Sequence, residues 1–96
     1  MASITVVAKL VAKKGCAESV KSELQKLIAP TRQEEGCIEY LLFQDNEDPD
    51  IFMFYETWKS FACIEKHVET DHYKNYVASV ATMLKEKIVH KMTRID

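Results

Sequence analysis

Glycine and proline are scarce in this chain, two of each in 96 residues, so Gly15, Pro30, Gly36 and Pro49 carry most of the punctuation between elements. Internal repeats and low-complexity tracts are absent, which excludes solenoid and fibrous architectures. Cysteine is limited to Cys16, Cys37 and Cys63. An odd, widely spaced set without a C-x-x-C suggests neither a disulfide framework nor a closed zinc site, and buried or idle thiols are expected. Charge of one sign is also lacking. Thirteen Lys and Arg against fifteen Asp and Glu give a net −2 with no basic run, so neither nucleic acid nor an anionic membrane is expected as a partner. No apolar run approaches a membrane span, and "MASITVVAKLVAKKG" meets Lys9 before a signal-like apolar core develops; the sequence reads as cytoplasmic. Gly-rich phosphate loops are missing too.

What remains is a chain of 47% hydrophobic composition, read as a single domain over residues 1–96 with one core. At this size, oligomerisation is a plausible way to bury further apolar surface. Ile4, Val6, Ala8, Leu10 and Ala12 alternate with Thr5, Val7, Lys9 and Val11, the period of a strand. After a turn at "AKKGC", Val20, Leu24, Leu27 and Ile28 recur at helical spacing from near Ala17. Pro30 is expected to kink or end that helix, and Gly36 to serve as its stop. "CIEYLLFQ" and "IFMFYETW" read as a hairpin around the polar turn "DNEDPD". Its second strand points Ile51, Met53, Tyr55 and Thr57 one way and Phe52, Phe54, Glu56 and Trp58 the other.

Ser60 then caps a short helix carrying Phe61, Ile64 and Val68. Thr70 or Asp71 caps another with Tyr76, Val77, Val80, Met83 and Leu84 inward. "IVHKMTRI" closes the chain as a strand. The order β-α-β-β-α-α-β is that of a ferredoxin-like α+β fold, an antiparallel sheet with helices on one face. The other face, still rich in apolar residues, predicts a face-to-face homodimer.

The segments Glu35-Gly36-Cys37, Tyr55-Glu56-Thr57-Trp58, His67 and His72-Tyr73 resemble the antibiotic biosynthesis monooxygenase domain family, whose members include small quinol monooxygenases. The resemblance runs over nearly the whole chain and implies a dimeric α+β barrel. It also implies a chemistry without metal or flavin. A deprotonated dihydroxyaromatic passes an electron to dioxygen itself, and the protein binds, deprotonates and excludes water. The expected partners are therefore a small aromatic substrate, dioxygen and a second copy of the chain, with no cofactor.

Residues 54–76 gather the only Trp, three of four Tyr and two of three His. A neutral imidazole near its ordinary pKa of about 6.5 can accept a quinol proton, which makes His72 the first candidate base and His67 the second. On one continuous helix these two, five apart, would diverge by about 140°. A break near Thr70 would let both turn toward one cavity. Cys63 and His67 share a helical face, but no third ligand is evident, and no metal site is expected. Trp58 is either a core aromatic or a pocket wall whose indole N–H donates to a substrate oxygen. Tyr73 is its neighbour in the expected site, with Phe52, Phe54, Met53 or Met83 as apolar walls. Arg32 is either a solvated helix end or the partner of a substrate carboxylate or phosphate, with Glu34, Glu35 and Glu56 as alternative partners. Glu56 itself is expected to make a structural ion pair or hydrogen bonds.

Three rival functions fit the same residues. One is an isomerase or oxygenase of a small phosphorylated hydroxyketone. Another is haem degradation, although those relatives carry an Asn on the first strand and "ITVVAKLV" has none. The third is a non-catalytic dimer that binds a small aromatic metabolite.

Overall fold

The alternation at the N-terminus folds as β1 (Ile4–Ala12), in which Ile4, Val6, Ala8, Leu10 and Ala12 are buried and the residues between them are half-covered. The structure, a computed structural model, describes residues 3–96. β1 is followed by α1 (Ala17–Gln25), α2 (Ile28–Arg32), β2 (Cys37–Gln44), β3 (Ile51–Trp58), α3 (Phe61–Val68), α4 (Asp71–Val80) and β4 (Leu84–Met92). The strands form one antiparallel sheet in the order β2-β3-β1-β4. This is the ferredoxin-like α+β arrangement. No helix among the described residues is long and apolar enough to cross a membrane.

Two central strands set the sheet's sidedness. Pairing of Ile4 with Trp58, Val6 with Glu56, Ala8 with Phe54 and Leu10 with Phe52 places these eight side chains on one face, because facing residues of an antiparallel pair point the same way. Val20 and Leu24 of α1 and Leu27 beyond it pack into the same core, as do Ile64 of α3 and Tyr76 and Val80 of α4. The opposite face carries Val7, Leu41, Phe43, Met53, Tyr55, Ile88 and Met92 in register, with Phe43 54% and Tyr55 40% exposed. Lys9 and Glu86, also on that face, pair at 3.6 Å.

Three local expectations are corrected. The first helix breaks at Lys26 and Leu27, before Pro30. Pro30 instead sits in the first turn of α2, where a missing N–H costs nothing. Met83 and Leu84 do not continue α4. Leu84 opens β4 opposite Ala12, and the Lys13 N–H donates to the Met83 carbonyl at 2.8 Å, so sheet pairing along the full length of β1 overrides the helical spacing. Gly36 does not end a helix, since α2 closes at Arg32. The glycine with a left-handed backbone is Gly15, at φ 83°, in the turn after β1.

Gly36 is there for space. A Cβ on it would lie 2.3 Å from both Cβ and Sγ of Cys63, on the helix that crosses above. Its carbonyl also accepts from the Lys59 N–H at 3.0 Å, tying the start of β2 to the end of β3. Gly36→Ala is therefore expected to destabilise the fold by about 1–3 kcal/mol through overpacking, and Cys63→Gly in the same chain to recover part of that loss. Chemical denaturation of the single and double variants checks it. A Gly36→Ala variant as stable as wild type would contradict the close approach.

Candidate functional site

Between the helices and the sheet lies a cavity of about 330 Å³, within the range that holds small organic ligands. Val6 and Ala8 of β1, Tyr40 of β2 and Phe54 and Glu56 of β3 form its floor. Ile64, His67, Val68, Tyr73 and Tyr76 come from α3 and α4, and Lys87, Val89 and Lys91 from β4. Pairing of Lys87 with Leu10, Val89 with Ala8 and Lys91 with Val6 fixes those three on the helix-facing side of β4. All three are exposed there, so one wall of the cavity is open to water.

His67 is 3% exposed in the last turn of α3. Its ring lies 4.7 Å from Trp58 and 4.9 Å from Tyr73, centroid to centroid. The Nδ1 atom is 2.6 Å from Glu34 Oε2, and the same oxygen is 2.8 Å from His72 Nε2. A carboxylate oxygen accepts, so in the neutral ring Nδ1 of His67 carries the proton. Its Nε2 makes no hydrogen bond to the described residues. Burial holds the His67 pKa below its ordinary 6.5, outweighing the upward pull of the Glu34 hydrogen bond and charge. The ring is thereby kept neutral at physiological pH.

The convergence of the two histidines follows from the break between α3 and α4. The Thr70 hydroxyl accepts from the Tyr73 N–H as the α4 cap and donates to the His67 carbonyl at 2.6 Å. The chain changes direction there, and the divergence of about 140° that one helix would impose does not apply. Glu34 comes from the turn after α2, where its N–H donates to the Thr31 carbonyl and its carbonyl accepts from the Cys37 N–H.

Glu34, His67 and His72 bring one potential ligand atom each within 4.8 Å of one another, and Cys63, the residue that shares a helical face with His67, is not among them. The contacts of Glu34 are hydrogen-bond lengths. Neighbouring donors around a tetrahedral cation with bonds of about 2.0–2.1 Å would stand roughly 3.3 Å apart. As arranged, the cluster is a carboxylate shared by two imidazoles.

Trp58 is fully buried, and its indole N–H donates to Glu56 Oε1 at 2.8 Å. It therefore has no N–H to offer a substrate. It backs His67 instead of lining the cavity. Glu56 takes the place at the cavity wall and is expected from the sequence to be hydrogen-bonded, as it is. Burial pushes its pKa up to about 7, partly offset by the Trp58 hydrogen bond. Nearby, Lys87 Nζ stands 5.0 Å from the Tyr76 ring centroid and 5.4 Å from that of Tyr73, and donates to the Tyr73 hydroxyl at 3.4 Å. Burial disfavours its charge, but the two tyrosines outweigh that and leave its pKa raised, so it is a cation.

A Glu56 pKa raised from 4.5 to about 7 means that the folded state holds a proton that the unfolded chain has released. This contribution to stability is full below 4.5 and is lost as pH rises to about 7. His67 works oppositely, because its lowered pKa makes folding less favourable as pH falls below 6.5. Glu56→Gln keeps an acceptor for Trp58 and removes one of the two titrations. Relative to wild type, the variant is expected to gain about 1–3 kcal/mol as pH rises from 4.5 to 8. Melting curves at both pH values read this, and a constant difference between the two proteins would contradict it.

The remaining candidates are divided. Phe54, Tyr73 and His67 meet at the cavity. His72 shares Glu34 with His67, its side chain 24% exposed, and is not a lining residue. Arg32 is committed elsewhere, with Nε and Nη2 donating to the Tyr40 carbonyl at 3.2 and 2.9 Å. Met83 faces a separate surface depression with Ser22, Lys26 and Ser79, because the chain turns into β4 there. The three thiols are free, and burial pushes that of Cys37 up to about 11, which leaves it unreactive.

Residues 3–79 match the antibiotic biosynthesis monooxygenase family, and the chain belongs to it. Probable quinol monooxygenase YgiN of Escherichia coli is 29% identical over 87 residues, covering 80% of this chain and 84% of that protein. The protein sll1783 of Synechocystis is 30% identical over 71 residues, 74% of this chain, which spans about half (48%) of that longer protein. Among solved structures, PA3566 from Pseudomonas aeruginosa superposes with a TM-score of 0.96 at 31% identity, over 100% of this chain and 97% of that one.

Proposed function

We propose that this chain is a monooxygenase of small quinols that uses dioxygen directly, with His67 as the base and no bound cofactor. The observation that carries this reading is the buried, neutral His67, held at Nδ1 by Glu34 on the wall of an aromatic cavity. The fixed tautomer leaves the Nε2 lone pair available, as a general base requires. That a relative is named a probable quinol monooxygenase supports the substrate class.

Nε2 takes a hydroxyl proton from the bound quinol, and Glu34 stabilises the imidazolium that forms. The substrate anion passes one electron to dioxygen, and substrate radical and superoxide combine at a ring carbon that bears hydrogen. The peroxide takes back the proton from His67. Loss of water from the C–OOH carbon then leaves a carbonyl, so that one oxygen atom enters the product and the other leaves as water. Tyr40, Phe54, Tyr73 and Tyr76 supply flat walls for the ring. His72, with Arg32 and Trp58, acts from outside the cavity in this reading, His72 by holding Glu34 and Trp58 by packing on His67.

The protein works in this account as a homodimer, with the apolar sheet face of Leu41, Phe43, Met53 and Tyr55 covered by a second copy. Dioxygen uptake by metal-free and flavin-free protein tests the chemistry. Uptake that depends on a quinol is expected. Uptake that appears only on adding iron or flavin would contradict it, and tight quinol binding with no uptake would favour the non-catalytic alternative.

A further inference from the structure

We infer that the ligand of this cavity carries an anionic group, a carboxylate or phosphate, on its aromatic body, and that Lys87 and Lys91 receive that group. The inference deepens the proposed function by naming its substrate class. Strand alternation places both lysines on the helix-facing side of β4, four residues apart with Val89 midway between them, at the open wall of the cavity. Among the described residues, neither has an acidic side chain within ion-pairing distance, although Lys9 on the other face of the sheet is paired. Lys87 is held in place by the Tyr73 and Tyr76 rings and the Tyr73 hydroxyl. The carboxyl that shares the cavity, Glu56, has its acceptor Oε1 engaged by Trp58, and its proton affinity is raised so that it opposes the lysines only in part. The cavity is left with a positive end and an aromatic end. Arg32, the cation that the sequence offered for an anionic substrate, is bound to the Tyr40 carbonyl, and β4 supplies the positive charge instead.

Matched ligands separate this inference from the oxidation itself. Gentisate, a quinol carboxylate, and its methyl ester share the quinol ring and differ by the charge and one methyl group, and calorimetry under anaerobic conditions measures both without turnover. Gentisate is expected to bind wild type about tenfold or more tighter than the ester, as a charge-assisted hydrogen bond in a partly dry site allows. The preference should disappear in the double variant Lys87→Met, Lys91→Met. It should survive in Lys85→Met, which removes a charge from the same strand outside the cavity. Phenyl phosphate in place of gentisate reports which anion fits better, and tighter binding of either one than of the ester supports the inference. Wild type that binds neither anion more tightly than the ester, or an undiminished preference in the double variant, would overturn it. A carboxylate preference without dioxygen uptake would retire the oxidation and leave the anionic group standing.

Discussion

His67→Ala is expected to lower quinol turnover by about 10²–10⁴-fold, the range that a positioned base supplies. The effect should fall on kcat, since the ring contributes little area to binding beside Tyr40, Phe54, Tyr73 and Tyr76. The side chain is buried, and its loss also leaves Glu34 with one donor in place of two. A stability cost of about 1–3 kcal/mol accompanies it, so turnover must be read at a temperature where circular dichroism shows the variant folded. Glu34→Gln separates positioning from proton transfer. An amide accepts from Nδ1 but carries no charge to stabilise the imidazolium, so kcat should fall less than in His67→Ala while substrate KM stays near wild type. His72→Ala keeps the contact between Glu34 and His67 and should have the smallest effect of the three. Full activity in His67→Ala with loss in His72→Ala would move the base to the other side of Glu34.

A second large effect is expected at the open face of the sheet. Aspartate at both Phe43 and Tyr55 should turn a dimer at micromolar concentration into a monomer, because burying two carboxylates per chain against their copies costs several kcal/mol, roughly 10³-fold or more in the dissociation constant. Both side chains are exposed within one chain, so the monomer's own secondary structure should survive. Sedimentation velocity of wild type and variant reads the change. A wild-type monomer, or a variant that sediments as wild type does, would remove the sheet face from the dimer.

The strands were largely legible because period-two alternation and one-sided burial are the same fact seen twice. In β1 the apolar residues at even positions are the buried set, and in β3 Phe52, Phe54, Glu56 and Trp58 are all buried. The break between α1 and α2 was hidden, since Lys26 and Leu27 include no helix-breaking residue. The start of β4 was hidden for a different reason. Met83 and Leu84 fit a helical stripe, and only hydrogen bonding to the far end of β1, remote in sequence, pulls them into the sheet. At the site, the crowding of aromatics and histidines near Thr70 was visible, and so was the cap that lets His67 and His72 converge. Glu34 was not, because it acts 33 and 38 residues away from its partners through the tertiary fold. The bond between Trp58 and Glu56 was within reach, since strand alternation already put both on one face. Lys87 precedes the alternation that begins at Ile88, so no local pattern marks it as part of β4.

The central claim is that the cavity removes a proton from a bound phenolic hydroxyl through His67. Its most direct test is the absorption spectrum of a phenol whose anion is red-shifted, titrated anaerobically with protein at neutral pH. The wild type is expected to bind it as the anion, and His67→Ala, folded and still binding, to show the neutral phenol. A neutral spectrum in the wild type, or the same anion spectrum in His67→Ala, would contradict the account.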